Sequence, residues 1–459
     1  MAESQQQIMT AADILRVLTL QDYNTRVVLC GTVLFGACGG IVGAFMLLRK
    51  KSLVGDVASH AALPGIGLAY LILESVAPGT GKSPAWLLVG AAAGAASGLF
   101  CAGLIQRTRL IKEDAALGIV LSVFFGFGIV LLSIVQKLSR GSAAGLSEFI
   151  FGKAASMTAD DVTSIAVASA VVLTLCALLF KEFSLLCFDE AYAAALGWPT
   201  RRLDLLLTSL VVAVTVIGMP SVGLLLVVAQ LVIPPTAARF WTDRHGPLTI
   251  MSGTLGAFSS AVGILVSALV PRLAAGAVIV LAGTAIFVVS LLFGTRRGVV
   301  WRGLRRRASR RRIGQLDLLR ACFEVLEEDA ATHHESDLTT LPISFEQLLA
   351  SRSWPSTRLR GILTFALRDG SIRRDADGHY RLTAEGTRLA RRATRNHRLW
   401  EMYLIHFAHA APSRVDREAD EIEHVLEPEL VEQLEELLEQ DRVRARVPPV
   451  NPHGATVVH

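Results

Sequence analysis

The sequence predicts an all-α polytopic membrane helical bundle of about eight to nine spans, followed by a smaller α+β unit. Two observations carry that division. Of the 459 residues, 52% are hydrophobic and 19% charged, with a mean hydropathy of +0.48. That is too apolar for a soluble chain and too charged for one embedded throughout. The charge is also unevenly spread: long apolar runs fill residues 27–293, whereas from Arg296 onward Arg, Asp and Glu crowd in and no run can span a bilayer. The expected order is an amphipathic extramembrane segment at 1–26, a membrane domain at 27–295, a basic juxtamembrane linker at 296–312 and a soluble part beyond it. Residues 1–26 lack a basic start leading into a short apolar core and cleavage site, so the first span is expected to act as its own signal. Six cysteines stand singly, four of them inside apolar runs, which excludes a disulfide framework and a zinc-knuckle spacing.

A helix needs about 20 apolar residues to cross the hydrocarbon core. Candidate spans are 27–48, 57–76, 86–105, 115–135, 162–180, 203–218, 222–238, 248–270 and 274–293. Around Met219-Pro220-Ser221 the chain either turns tightly or breaks one long helix, so a count of eight stays open. With nine spans, Arg49-Lys50-Lys51, Arg107, Arg109, Lys112, Arg201-Arg202, Arg239, Arg244 and Arg296-Arg297 fall on one side. The positive-inside tendency makes that side the cytoplasm, although Lys137, Arg140 and Lys153 then lie opposite, against the rule. Small-residue runs such as Gly90 to Gly98 point to close helix packing rather than to a function.

The informative stretch runs from Ser52 to Gly65. Asp56 and His60, four apart, share one helix face, just inside a span where ionisable groups are costly unless they pair or line a pathway. Carboxylate and imidazole are suitable ligands for a first-row divalent ion. Spacing alone fits equally a polar pair that ties helices together or a cap at the membrane surface. Pro64-Gly65 is expected to distort the helix beyond them.

Ser52-Leu53-Val54-Gly55-Asp56, Ser59-His60-Ala61 and Leu63-Pro64-Gly65 together resemble the signature of the zinc, manganese and iron ABC permeases. Further similar stretches follow in order: Lys112 to Ile119, Phe188 to Gly197, Val222 to Val227 and Ile233 to Ala238. The resemblance covers roughly residues 10–300. It implies a permease that dimerises, an ATPase on a separate chain, an extracytoplasmic metal-binding protein, and a divalent ion (Mn, Fe or Zn) as cargo. It makes Asp56 and His60 pathway residues and gives Asp189, Glu190, Ala193 and Gly197 to a loop that docks on the ATPase, its small alanine face entering a groove. A separate ATPase agrees with the membrane half itself, which has no Gly-rich loop ending in Gly-Lys-Ser/Thr, Gly81-Lys82-Ser83 being only a fragment of one. No covalent chemistry is expected of the permease, so it is not an enzyme.

Nine arginines lie between Arg296 and Arg312; such a cluster after a last span is usually an anchor on anionic lipid. Helical patterns at 316–326, 344–350 and 356–368 precede a hairpin at 372–383 centred on Asp377-Gly378. Three helices and a hairpin make a winged helix, a helix-turn-helix variant, over 313–395. Tyr380 to Gly386, Asn396 to Glu401 and Ala419 to His424 resemble the diphtheria-toxin-repressor family of manganese- and iron-dependent regulators. That resemblance implies metal-binding and dimerisation helices at 396–446, with a helix beginning at Asn396, before a disordered end at 447–459. It implies metal ligands at Asp317, His397, Asp420, Glu423 and His424, with Glu401 at a second site. Arg320 departs from the manganese type, which has an acid there, and so argues against binuclear binding. Together these features describe a divalent-metal importer subunit, manganese favoured, with a metal-sensing tail. A membrane-tethered metal-dependent DNA-binding regulator is the alternative.

Overall fold

Within lipid a chain segment must close its own backbone hydrogen bonds, and each of the nine apolar segments is helical. The computed structural model describes residues 19–77, 83–108, 110–138, 152–154, 157–270, 273–333, 341–352 and 354–406, and it divides into Met1–Arg302 and Gly303–His459. In the first unit lie α1 (Tyr23–Leu48), α2 (Val54–Val76), α3 (Pro84–Arg107), α4 (Glu113–Leu138), α5 (Ala159–Leu178), the short α6 (Phe180–Phe188) and α7 (Glu190–Ala195), α8 (Thr200–Val222), α9 (Leu224–Ala238), α10 (His245–Leu269) and α11 (Ala275–Phe293). Eight of these are long and apolar enough to cross a membrane, and α9 is shorter. At 1.5 Å per residue its 15 residues reach roughly 22 Å, against about 30 Å of hydrocarbon.

The reversal between α8 and α9 falls at Gly223, not at Met219-Pro220-Ser221. Pro220 is accommodated in the last turn of α8, whereas Gly223 has φ +84° and ψ 157°, a backbone state open essentially to glycine. Val227 lies against Gly218, so α9 folds back along α8. The helix ends agree with this course. Ala44, Ala238 and Leu248 cluster together, and the N–H groups of Arg296 and Arg297 donate to Phe240 O at 3.1 and 3.2 Å. The ends of α1, α9 and α11 therefore gather with the start of α10. At the opposite side the Lys153 N–H donates to Ser221 O at 3.1 Å.

Close approach through glycine builds the centre. A Cβ at Gly36 would lie 2.4 Å from Gly256 O, one at Gly40 2.3 Å from Ser252 O, and one at Gly65 2.1 Å from Gly90 O. Over half of the apolar stretches of α1, α2 and α8 is buried, against under a third of those of α3, α4, α5 and α11, so the first set forms the middle of the unit. The amide nitrogen of a buried glutamine there crosses between helices: Gln230 Nε2 of α9 donates to Ser259 and Ser260 of α10 at 3.2 and 3.0 Å.

The second unit begins within α12 (Val299–His333), followed by α13 (Phe345–Ser351), α14 (Ser356–Asp369), β1 (Ile372–Arg374), β2 (Tyr380–Leu382) and α15 (Ala384–His406). The basic stretch expected as a linker is helical from Val299, as arginine's good helix propensity allows. Leu318, Leu319, Cys322 and Leu326 of α12 pack with Leu348, Leu359, Leu363, Ile372, Leu382 and Ala390 in one core. Ser344 and Gln347 form a reciprocal capping box on α13. The hairpin pairs Ile372 with Leu382 and Arg374 with Tyr380; Tyr380 also bridges to Ile343, which completes the three-helix and wing pattern. The last helix starts at Ala384, earlier than the expected Asn396. Thr383 Oγ1 accepts from the Gly386 N–H at 3.1 Å and caps it there.

Gly65→Val forces α2 away from α3 where a Cβ has no room. We expect a loss of about 1–3 kcal/mol, read as a lower thermal unfolding midpoint of the detergent-solubilised chain. Gly103→Ala, where a Cβ meets nothing within 4 Å, leaves that midpoint unchanged or slightly raised.

Candidate functional site

Asp56 sits in the first turn of α2, where the positive end of the helix dipole favours a carboxylate. One turn on, His60 Nε2 approaches Asp56 Oδ1 at 3.2 Å, the side chains 18% and 27% exposed respectively. The imidazole stands edge-on to Phe125 of α4, with ring centroids 4.8 Å apart. Its other nitrogen, Nδ1, is buried without a hydrogen-bond partner. Such an orphan is costly in an apolar setting and calls for an explanation. With the Nε2 proton directed at Asp56, Nδ1 carries a free lone pair, the state in which imidazole binds a cation. Pro64 lies inside α2 and has no N–H to give the His60 carbonyl, so backbone oxygen is also freed beside the pair. Pro64 does not break α2, because Gly128 of α4 makes room for its ring. Among the described residues no three His, Cys, Asp or Glu side chains gather to hold a metal ion. Asp56 and His60 thus form a pair and not a closed cage.

The α6–α7 hairpin is shaped by Asp189, whose Oδ1 accepts from the Tyr192 N–H at 2.9 Å and caps α7. Gly197, at φ +83°, ends it, with the Trp198 N–H donating to Ala193 O at 3.1 Å. Of the alanines in this helix, Ala191, Ala194 and Ala195 are exposed and Ala193 is not. Ala193 is only 1% exposed and packs within this chain, while Phe188, Tyr192, Leu196 and Trp198 are 81%, 56%, 55% and 43% exposed. A six-residue helix lying against its own protein turns Ala193 inward, and the surface left for a partner carries Ala191, Ala194 and Ala195 beside these larger side chains.

Sequence reasoning missed the group that ties this hairpin to the end of α1 and to α8. Arg49, at the end of α1, donates from Nη1 to Leu186 O at 3.1 Å and Glu190 Oε2 at 2.9 Å, and from Nη2 to Asp204 Oδ1 at 2.8 Å. Lys51 Nζ joins Asp204 Oδ2 at 2.8 Å. Burial works against the Arg49 charge, yet hydrogen bonds and attraction from Glu190 and Asp204 hold its pKa above the ordinary arginine value. Arg49 and Lys51 read in the sequence as topology charges; the signal that identifies them as partners is Asp204, an acid opening an otherwise apolar run. Beside them burial pushes the Cys187 thiol up to about 12, which keeps it protonated and unreactive.

In the second unit the structure joins His397 to Glu401, Nε2 to Oε1 at 3.3 Å. The third member is Arg320, whose Nη1 lies 2.6 Å from His397 Nδ1. Arg320 is 1% exposed and its Nε pairs with Glu324 at 3.4 Å. A guanidinium thus lies against the His397–Glu401 pair, between α12 and α15. Arg398 pairs with Glu327, fixing the same two helices. Asp420, Glu423 and His424 lie outside the described residues.

A many-spanned helical bundle with an acid–imidazole pair in its second helix and a capped surface hairpin is the architecture of a multi-pass membrane protein. The ABC 3 transport family matches residues 21–294, and the chain belongs to that family. The iron dependent repressor metal binding and dimerisation domain matches residues 383–456, a match that starts where α15 starts. The chain is similar to the manganese transport system membrane protein MntC of Bacillus subtilis, 38% identical over 389 residues that cover 85% of this chain and 86% of that protein. That likeness is longer than the membrane unit and so includes part of the second. The zinc transport system membrane protein TroC of Treponema pallidum is 42% identical over 287 residues, 62% of this chain and 94% of that protein. Among solved structures, PsaBC from Streptococcus pneumoniae in complex with Fab matches with a TM-score of 0.54 and 28% identity, over 63% of this chain and 98% of that one.

Arg49→Ala leaves Asp204 and Glu190 without their shared partner. We expect a loss of about 1–3 kcal/mol in thermal unfolding of the solubilised chain. Asp204→Asn, which keeps a hydrogen-bond acceptor, has the smaller effect.

Proposed function

We propose that this chain is the permease subunit of an ATP-driven importer of divalent metal ions, manganese favoured and iron or zinc next. The observation that carries the reading is the Asp56–His60 pair, an acid bonded to an imidazole whose second nitrogen is unpartnered, inside a chain of the ABC 3 transport family. Relatives named for manganese and zinc transport support a metal cargo. Oxygen and nitrogen ligands without thiolate suit manganese. A conducting site must bind weakly enough to release its ion, and two protein ligands per chain serve that better than a closed tetrahedral cage. Two copies of the chain pair around the pathway, and a metal-loaded binding protein delivers the ion from outside. The ATPase docks on the hairpin from Asp189 to Gly197 at the cytoplasmic side. Glu190 is bound to Arg49 there, and Tyr192, Leu196 and Trp198 make the contact that the sequence assigns to Ala193.

Asp56→Ala and His60→Ala each abolish ATP-dependent manganese uptake into vesicles carrying the reconstituted complex, while co-purification with the ATPase is unchanged. Undiminished uptake in both variants removes the pair from the pathway.

The second unit is proposed to lie in the cytoplasm and to regulate the permease. Its metal-sensing ligands are then Asp317, Asp420, Glu423 and His424. Feedback of this kind requires different metal affinity in two states of the permease, and typical couplings of about 1–3 kcal/mol shift their balance roughly 5- to 150-fold. Vesicles preloaded with manganese take up the ion more slowly than empty ones, and a Glu423→Ala/His424→Ala variant loses that difference. A second reading, a membrane-tethered DNA-binding regulator, is favoured by a groove of about 680 Å³ lined by Arg310, Arg311, Arg358 and Arg368. It prevails if preload has no effect on either chain and the metallated protein binds a defined DNA sequence.

A further inference from the structure

We infer that Arg320 is a built-in cation that permanently occupies the His397–Glu401 position, so that this pair takes no metal ion and the fold of the second unit around it is metal-independent. The inference concerns the second unit alone and stands or falls separately from the transport reading.

The chemistry of the donors decides it. A guanidinium has only N–H donors and keeps its charge at any ordinary pH. Since Arg320 Nη1 lies 2.6 Å from His397 Nδ1, Nδ1 must accept, and the ring proton is on Nε2. That proton faces Glu401 Oε1 at 3.3 Å. The imidazole is thus neutral, with its one lone pair given to arginine and its one N–H given to a carboxylate. A metal ion needs that same lone pair. Using it would set a divalent cation against a fixed positive charge in a place where water screens little: Arg320, His397 and Glu401 are 1%, 3% and 4% exposed.

The surroundings hold the guanidinium in place. Glu324, one turn further along α12, is 3.4 Å from Arg320 Nε and also pairs with Arg352 at 3.1 Å. Arg398, next to His397, pairs with Glu327. Cys322, close to Arg320 in the chain, is fully buried in the apolar core, and that burial pushes its thiol up to about 12. Arginine therefore does what a bridging ion does in such a place, joining an acidic face of α12 to the His and Glu of α15, and it needs no metal to do so.

The test uses the full-length chain in detergent, carrying Asp56→Ala/His60→Ala so that the membrane pair contributes no ion. Manganese or zinc retained per chain after desalting is counted by elemental analysis. His397→Gln keeps an acceptor for Arg320 but removes the imidazole. The expected result is the same ion count before and after His397→Gln, for both metals. Arg320→Glu exchanges the guanidinium for a carboxylate and is expected to gain about one ion per chain, a gain abolished by adding His397→Gln. A count that falls by about one on His397→Gln alone, with Arg320 present, overturns the inference. So does an Arg320→Glu chain that gains no ion while Cys322 stays protected from maleimide. Should Arg320→Glu expose Cys322, the His397→Gln comparison decides by itself.

Discussion

A polar group taken out of water has to find a partner within reach, and the organisation of both units follows from how that requirement is met. Gln230 spans from α9 to two serines of α10. Arg49 reaches a backbone carbonyl and two carboxylates from separate helices. Asp56 leans on His60. The unpartnered Nδ1 of His60 is one of several such buried atoms among the described residues, and it lies beside a carboxylate and a carbonyl freed by Pro64.

The same economy of space acts on the apolar side. Lipid offers no hydrophobic reward for bringing two helices together, so association rests on close contact. The glycines of α1, α2, α3 and α10 allow backbone to meet backbone. α2 is clamped between α3 at Gly65 and α4 at Pro64, which fixes the azimuth of Asp56 and His60 toward Phe125. The end of α1 is tied through Arg49 to the α6–α7 hairpin and to α8. The same arginine lies next to the short connection that leads into α2 and the pair.

In the second unit buried charge is handled by arginine. Arg320 and Arg398 both cross from one long helix to the other, Arg320 to His397 and Arg398 to Glu327. A buried guanidinium is tolerated only when carboxylates or acceptors surround it, and Glu324 and His397 supply them here. Similarity to a metal-binding domain over residues 383–456 thus coexists with an arginine bound at His397.

Much of this was legible in the sequence because it depends on neighbours along the chain. The nine apolar segments are helical because lipid leaves a segment of that length no other way to satisfy its backbone. The Asp56–His60 contact follows from a spacing of four on a helix, and the wing from Asp377-Gly378 between alternating residues. Gly223 as the reversal point was harder to read, since Met219-Pro220 offered a competing turn signal and only glycine's access to positive φ decided between them. What the sequence could not give are contacts between residues far apart in it. Arg49 with Asp204, Arg320 with His397 and the inward turn of Ala193 are set by which helices lie side by side. Local periodicity places a side chain on a face of its own helix, but the partner on that face is chosen by packing with the whole fold.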